Sequence, residues 1–256
     1  MSEDHLLYHV EDDVAWFTIN REKQRNAISA EAIALFKQYL DQAEADANVR
    51  AVCVTGSGDR AFCSGGDLAG GMMDNGMDPI TAYANLLKRL AGFSKPTVAR
   101  VNGYCLAGGT GFMLACDIVV ATEDAKFGTP EVNVGLFPMM IGALIFRNVP
   151  RKKAMEMVLL GDRLTAQQAL ELGMLTRVVS ADQLDETVAG ILKTLVGKSP
   201  IGLKLGKEAF YRTADMPFEE ALDLLSQGLT KVIATDDARE GMTAFIEKRK
   251  PLFTGK

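Results

Sequence analysis

Three short stretches hold residue types from which a reaction could be built. "FCSGGDL" (Phe62–Leu68) and "YCLAGGTGFMLACD" (Tyr104–Asp117) are glycine turns that follow strand-like apolar runs. "KFGTPEVNVGLFPMM" (Lys126–Met140) sets Glu131 after Pro130 and ahead of Val132, Val134, Leu136, Phe137, Met139 and Met140. Glycine lets a backbone approach another group closely, because no Cβ intervenes. If both strands share a sheet, peptide N–H groups of the two turns can converge on one oxygen. They would then hold the negative charge of an enolate or a tetrahedral oxyanion. A carboxyl in an apolar surround has its pKa raised and can pass protons near neutral pH. The same spacings also fit two tight connections and a surface glutamate at the start of a loop or helix.

Other chemistries fit poorly. A dinucleotide fingerprint would need a third glycine where Leu114 follows Gly109 and Gly111. "GKS" (Gly197–Ser199) has Leu192 where a P-loop needs glycine, and the G-x-S-x-G elbow is absent. The only histidines, His5 and His9, lie at the extreme N-terminus, far in sequence from any nucleophile. Cys53, Cys63, Cys105 and Cys116 form no C-x-x-C pair, so no metal site is expected, and each reads as a buried free thiol. Backbone N–H groups and carboxylates are what remain.

The elements that position these groups alternate in the first half. "LLYHV" and "VAWFTIN" read as strands around the acidic turn Glu11–Asp13. Ser29 is placed to cap a helix carrying Ile33, Phe36, Leu40 and Ala43 at helical spacing. "RAVCVT", "TVARV" and "CDIVVA" read as further strands, with a helix over about Ile80 to Leu90. That alternation is an α/β pattern. From Pro150 the chain reads as mostly helix. Thr165 with Gln168 and Ser180 with Gln183 fit capping boxes. Leu184, Val188, Ile191 and Leu195 form an apolar stripe that suits a subunit interface or packing on its own domain. A soft boundary near Lys198–Pro200 gives a core over 1–198 and a helical region over 199–256, whose last helix runs from about Asp236 to Lys248.

The 256 residues carry a formal charge of −5 and 48% hydrophobic residues, an ordinary soluble composition that argues against a nucleic-acid footprint. The basic cluster "EKRKP" (Glu247–Pro251) reads as a solvated helix face. The acidic start "MSEDHLLYHV" is unlike a signal peptide, and no stretch suits a membrane span. A cytoplasmic location is expected.

Taken together, "REKQRNAIS" (Arg21–Ser29), "AFCSGGDL", "VNGYCLAGGTGFMLACDIVVAT", "AKFGTPEVNVGLFP", "GDRLTAQQALELGMLTRVV" (Gly161–Val179) and "GMTAFIEKRKPLFTG" resemble the crotonase superfamily, the enoyl-CoA hydratase/isomerase family. The resemblance covers nearly the whole chain. It implies a crotonase-like spiral of ββα turns with a helical C-terminal trimerisation region, in a homotrimer or a hexamer. It implies a coenzyme A thioester substrate and no metal or redox cofactor. The thioester oxygen would be held by the N–H groups of Gly66 and Gly108. CoA would lie against Arg25, Ala27, Ser64, Asp67 and Leu68. Lys248 or Lys250, from a C-terminal helix of this or a neighbouring subunit, would meet its phosphates. Met139 and Met140 are the residues expected to line the acyl pocket, while most of "LFPMMIGALIF" is expected to be core.

One departure bears on the reaction. Hydratases of the family typically carry two glutamates; one matches Glu131, and Gly111 stands where the other would be. A single carboxylate can remove a proton from one carbon and return it to another, which is a Δ3–Δ2 double-bond shift. Hydration divides its two proton transfers more easily between two acids, although one Glu can perform both. The expectation leans to isomerisation, with hydration close behind. A non-catalytic acyl-CoA-binding protein and a decarboxylase or C–C lyase are the alternatives. Asp74 and Asp78 are the nearby residues that could supply a second acid, or are simply solvated loop charges.

Overall fold

Strand pairing organises a computed structural model that describes residues 4–67 and 78–256. β1 (Leu6–Glu11) and β2 (Val14–Ile19) form an antiparallel hairpin. Its two turn residues, Asp12 and Asp13, have φ of 49° and 62°, a backbone that short acidic side chains tolerate. β3 (Ala51–Gly56) pairs in parallel with β2 and is buried at every position, which is why its sequence is continuously small and apolar. β5 (Thr97–Val101), β7 (Ile118–Thr122) and β10 (Arg177–Val179) extend this parallel sheet to six strands, in the order β1-β2-β3-β5-β7-β10.

A smaller sheet is built from the strands that follow the large-sheet strands in sequence. β4 (Ala61–Cys63), β6 (Tyr104–Leu106) and β8 (Lys126–Gly128) run parallel to one another, and β9 (Leu164–Thr165) closes the sheet antiparallel to β8. Each step therefore contributes one strand to each sheet before a helix. α2 (Pro79–Ala91) is the next described element after β4, α3 (Gly108–Leu114) follows β6, and a 3₁₀ turn (Pro130–Val134) with α4 (Met139–Asn148) follows β8. This is the spiral of ββα turns that the resemblance implied.

α1 (Ala30–Ala45) begins where expected: the Ser29 hydroxyl accepts the Ala32 N–H at 3.1 Å, and Ala32, Phe36, Leu40 and Ala43 are buried. Phe36 stacks between Phe17 and Phe112, at 5.7 and 5.3 Å between ring centres, and so ties the large sheet to α3 through the core. α5 (Arg151–Leu160) and α6 (Ala166–Glu171) follow, the latter with the full Thr165–Gln168 capping box.

Four expectations are corrected in the second half. Ser180 makes no side-chain cap, because its carbonyl takes the Gln183 N–H in a 3₁₀ turn and the α-helix starts only at Leu184. In α7 (Leu184–Val196) the fully buried face is Leu184, Val188 and Leu192, packed on the outer side of the large sheet, with Ile191 and Leu195 flanking it. α7 thus packs on its own domain. α8 (Pro200–Thr213), α9 (Phe218–Ile233) and α10 (Asp236–Ile246) follow. The basic cluster lies beyond the end of α10, not on a helix face: Lys248 has φ 54°, and Arg249 folds back onto Glu240 and Glu247. Finally, much of the run from Leu136 to Phe146 is surface; Pro138, Ile141 and Ile145 are its buried members. The four cysteines are buried and free, as expected, and burial pushes the Cys63 and Cys116 thiols up to about 12. Among the described residues, no helix is long and apolar enough to cross a membrane.

One buried amide holds the first loop. Asn26 is fully buried with φ 56°; its Nδ2 donates to Ala61 O (2.6 Å) and Ser57 O (3.0 Å). Its Oδ1 accepts from Arg21 N (3.0 Å) and Ser57 Oγ (3.1 Å). Asn26→Ala leaves buried carbonyls unpaired, so an unfolding free energy lower by about 2–4 kcal/mol is expected. Urea denaturation checks this, and an unchanged midpoint would contradict it.

Candidate active site

The first glycine turn is laced to the Asn26 loop by three backbone hydrogen bonds. Ser64 N donates to Arg25 O (3.2 Å), Ile28 N to Gly65 O (2.8 Å) and Asp67 N to Ile28 O (2.9 Å). Arg25, Ala27, Ser64, Gly66 and Asp67 therefore lie on one strip, as their grouping in the sequence suggested. Arg25 is exposed on that strip. The Asp67 carboxylate is paired with Arg21 at 2.7 Å, and Arg21 also donates to Ala27 O at 2.6 Å, so Asp67 braces the strip. Leu68 lies outside the described residues. A Cβ at Gly66 would meet nothing within 4 Å among the described residues.

The second turn comes from the neighbouring strand. Ala107 precedes α3 with φ 49° and ψ −125°, an unusual backbone for a residue with a side chain. It is held there by its own N–H to Gly128 O (2.9 Å) and by the Thr110 hydroxyl, which reaches Cys105 O (3.2 Å) and Gly128 O (3.1 Å). Gly108 opens α3, where the first N–H groups have no acceptor within the helix. A Cβ at Gly109 would lie 2.2 Å from Cys63 O, and one at Gly65 would lie 2.8 Å from the Ala107 Cβ and 3.5 Å from Gly108 N. The two turns are thus pressed together, and glycine is what permits it.

Glu131 arrives from the third strand of the same sheet. The Thr129 hydroxyl donates to Met157 O (3.2 Å) and fixes the end of β8; Glu131 is the second residue of the 3₁₀ turn that follows. Its carbonyl accepts Leu136 N at 3.0 Å. Its Oε2 is buried and meets no hydrogen-bond partner among the described residues. Burial raises its pKa above the ordinary 4.5, and its own backbone N–H opposes this only in part. The surround is not the one the sequence suggested. Val134, Leu136, Phe137 and Met139 are exposed, and Met139 is 73% accessible. Val134 ends the 3₁₀ turn and the other three follow it, so this apolar run does not supply the burial of the carboxylate. Met140 packs partly buried against the core.

Position 111 carries no carboxylate, and two side-chain tips crowd it and would have to shift to admit one. A Cβ there would lie 2.5 Å from Ile141 Cγ2 and 2.6 Å from the Tyr83 hydroxyl. Asp78 does not replace it. Asp78 caps α2 through Ile80 N and Thr81 N (both 3.2 Å), and its bonds to Thr81 and Ile80 hold its carboxyl below the usual range, unsuited to donating a proton at neutral pH. Asp74 lies outside the described residues. Lys248 and Lys250 are exposed beyond α10 rather than on a helix. Among the described residues, no group of three or more His, Cys, Asp or Glu could hold a metal ion. Sequence reasoning gave no role to Arg21, Asn26 or Tyr83; Arg21 and Asn26 lie in the quoted stretch Arg21–Ser29 and Tyr83 in no motif, and the three-dimensional meeting of the turns shows what each holds.

This arrangement matches known proteins along its whole length. The family model "Enoyl-CoA hydratase/isomerase" matches residues 9–256. The chain is 36% identical to the 1,2-epoxyphenylacetyl-CoA isomerase of Escherichia coli, over 99% of both chains. It is 32% identical to the short-chain-enoyl-CoA hydratase of Clostridium acetobutylicum, over 98% of this chain and 97% of that one. The crystal structure of an enoyl-CoA hydratase from Mycobacterium smegmatis superposes with a TM-score of 0.92 at 32% identity, covering 98% of this chain and 99% of that one.

The raised pKa of Glu131 has a consequence for stability. The folded protein holds that proton more tightly than the unfolded chain, so this group's contribution is most favourable at and below its ordinary value and is lost as pH rises through the raised one. Glu131→Gln is therefore expected to raise the neutral-pH Tm, with the gain vanishing at acid pH. Thermal unfolding of both proteins across pH checks this; a Tm difference independent of pH would contradict it.

Proposed function

This chain belongs to the enoyl-CoA hydratase/isomerase family, and from that premise we propose that it shifts the double bond of an unsaturated acyl-CoA thioester from the 3 to the 2 position. The observation that carries this reading is the one available carboxylate among the described residues of the site. Glu131 offers an oxygen with no partner among the described residues, whereas Asp67 is committed to Arg21, Asp78 to a helix cap, and position 111 carries glycine.

In this mechanism the thioester carbonyl lies against the N–H groups of Gly66 and Gly108. Glu131 takes a proton from C2, and the electron pair moves onto the thioester oxygen as a dienolate. The same carboxyl returns the proton to C4, leaving the double bond between C2 and C3. Bonds and electrons rearrange within the substrate, so no metal or redox cofactor is required. The two N–H groups act where charge develops; losing one such donor typically costs about 3–4 kcal/mol of transition-state stabilisation. The raised Glu131 pKa brings the carboxyl closer to the working pH, as proton return requires. Arg25, Ala27 and Ser64 line the strip where CoA would lie. Hydration is the second reading, supported by relatives named hydratases; Glu131 would then handle both protons in turn.

We further propose self-association into a homotrimer or hexamer through α8–α10. Phe210, Phe218, Phe245 and Ile246 are 68%, 77%, 85% and 78% exposed, more apolar surface than a monomer ordinarily shows to water. In that assembly the exposed Lys248 and Lys250 are the cations available to CoA phosphates of a neighbouring subunit.

Crotonyl-CoA and 3-hexenoyl-CoA, incubated with the enzyme in heavy water, separate the readings by mass and NMR. Migration of the 3-hexenoyl double bond is expected; water addition alone would favour hydration, loss of carbon dioxide or C–C cleavage a lyase, and no change would contradict the proposal. Glu131→Gln is expected to lower kcat by about 10²–10⁴-fold while retaining thioester binding. Undiminished turnover in that variant would contradict Glu131 as the proton carrier.

A further inference from the structure

Helix α2 carries one polar side chain into the space between the glycine turns and Glu131. The Tyr83 hydroxyl donates to Gly108 O at 2.5 Å. It would lie 3.3 Å from a Cβ at Gly108 and 2.6 Å from one at Gly111, so it sits directly over the first turn of α3. Its ring meets Phe112 edge-on, 5.3 Å between centres, at the end of the aromatic row formed by Phe17, Phe36 and Phe112. Burial pushes the phenol well above 10, and the nearby Cys63, Cys105 and Glu131 act in the same direction, so the hydroxyl keeps its proton.

We propose that Tyr83 is a positioning and selectivity residue of this site: its hydroxyl holds the Gly108–Gly109 peptide, and the hydroxyl end of its side chain takes up the volume beside Gly111 that a second carboxylate or an activated water would need. The inference rests on the isomerase reading for its kinetic consequence and on geometry alone for the pinning. Gly108 has no side chain to fix its own φ and ψ, and it follows a residue with a strained backbone. A hydrogen bond to its carbonyl fixes the Gly108–Gly109 peptide and so restrains ψ of Gly108; the N–H presented to the substrate belongs to the preceding peptide and is steadied through the Gly108 Cα. Tyr83 and Ile141 together close the pocket at Gly111, which leaves Glu131 to move protons without a competing nucleophilic water.

Two substitutions test this. Tyr83→Phe keeps the ring and removes the hydroxyl. With 3-hexenoyl-CoA, kcat is expected to fall about tenfold, as for loss of one buried hydrogen bond, with KM within about twofold. Tyr83→Ala opens the volume, and the ratio of hydrated to isomerised product is expected to rise about tenfold, as a barrier change near 1.4 kcal/mol would give. A purely structural role would lower both products in proportion. An unchanged kcat in Tyr83→Phe, or an unchanged product ratio in a folded Tyr83→Ala variant, would overturn the proposal. The infrared carbonyl stretch of bound [1-¹³C]crotonyl-CoA gives a reading that needs no turnover. Its lowering on binding should be smaller in Tyr83→Phe than in the wild type, and equal lowering would overturn the pinning. If the wild type leaves both thioesters unchanged, the isomerase reading falls and the infrared comparison alone decides for or against Tyr83; if the alanine variant fails to fold, the phenylalanine variant decides.

Discussion

The molecule depends on one close approach: the backbone of α3 against the end of β4. At Gly109 an added Cβ would stand 2.2 Å from the Cys63 carbonyl, a distance no side chain tolerates. That contact sets the spacing of two adjacent strands' turns, and with it the distance between the Gly66 and Gly108 N–H groups. The surrounding hydrogen bonds hold it in place. Asn26 locks the preceding loop to β4, Gly128 O takes the Ala107 N–H, and the Thr110 hydroxyl spans two carbonyls. A buried, fully paired polar network of this kind is costly to break and tolerates few arrangements.

Parallel pairing does the rest. β4, β6 and β8 are neighbours running the same way, so the segments that follow them leave from one edge of the smaller sheet. Those segments carry Gly66, Gly108 and Glu131. A sheet edge built from carboxyl ends of parallel strands is where open α/β architectures bind ligands. The two N–H groups are fixed by backbone, whereas Glu131 keeps one buried oxygen unpaired. An unpaired buried acceptor is a cost to stability that a folded protein ordinarily avoids. In the proposed function, that acceptor, unpaired among the described residues, is the proton carrier.

Much of this was legible in the sequence because it rests on local chemistry. Ser29 and Thr165 cap helices through their own hydroxyls, β3 is buried on both faces and reads as continuous small apolar residues, and the glycine turns announce close approach. What was not legible depended on non-local packing. Met139 sits in an apolar run yet is exposed at the first position of α4. Ser180 has the capping-box spacing, yet a three-residue turn consumes the bond. Tyr83 is one aromatic in an amphipathic helix; its bearing on Gly108 and Gly111 exists only once α2 lies over α3. Gly111 stood in the sequence only as the place of a missing second glutamate; that Tyr83 and Ile141 crowd it shows only in three dimensions.

The most direct test of the central claim is a crystal structure of the Glu131→Gln variant with crotonyl-CoA bound. The account requires the thioester oxygen to lie about 2.7–3.1 Å from both Gly66 N and Gly108 N, the range expected of an oxyanion hole, with the side chain at 131 facing the acyl carbons. A thioester oxygen paired with any other group, or an acyl chain remote from residue 131, would contradict it.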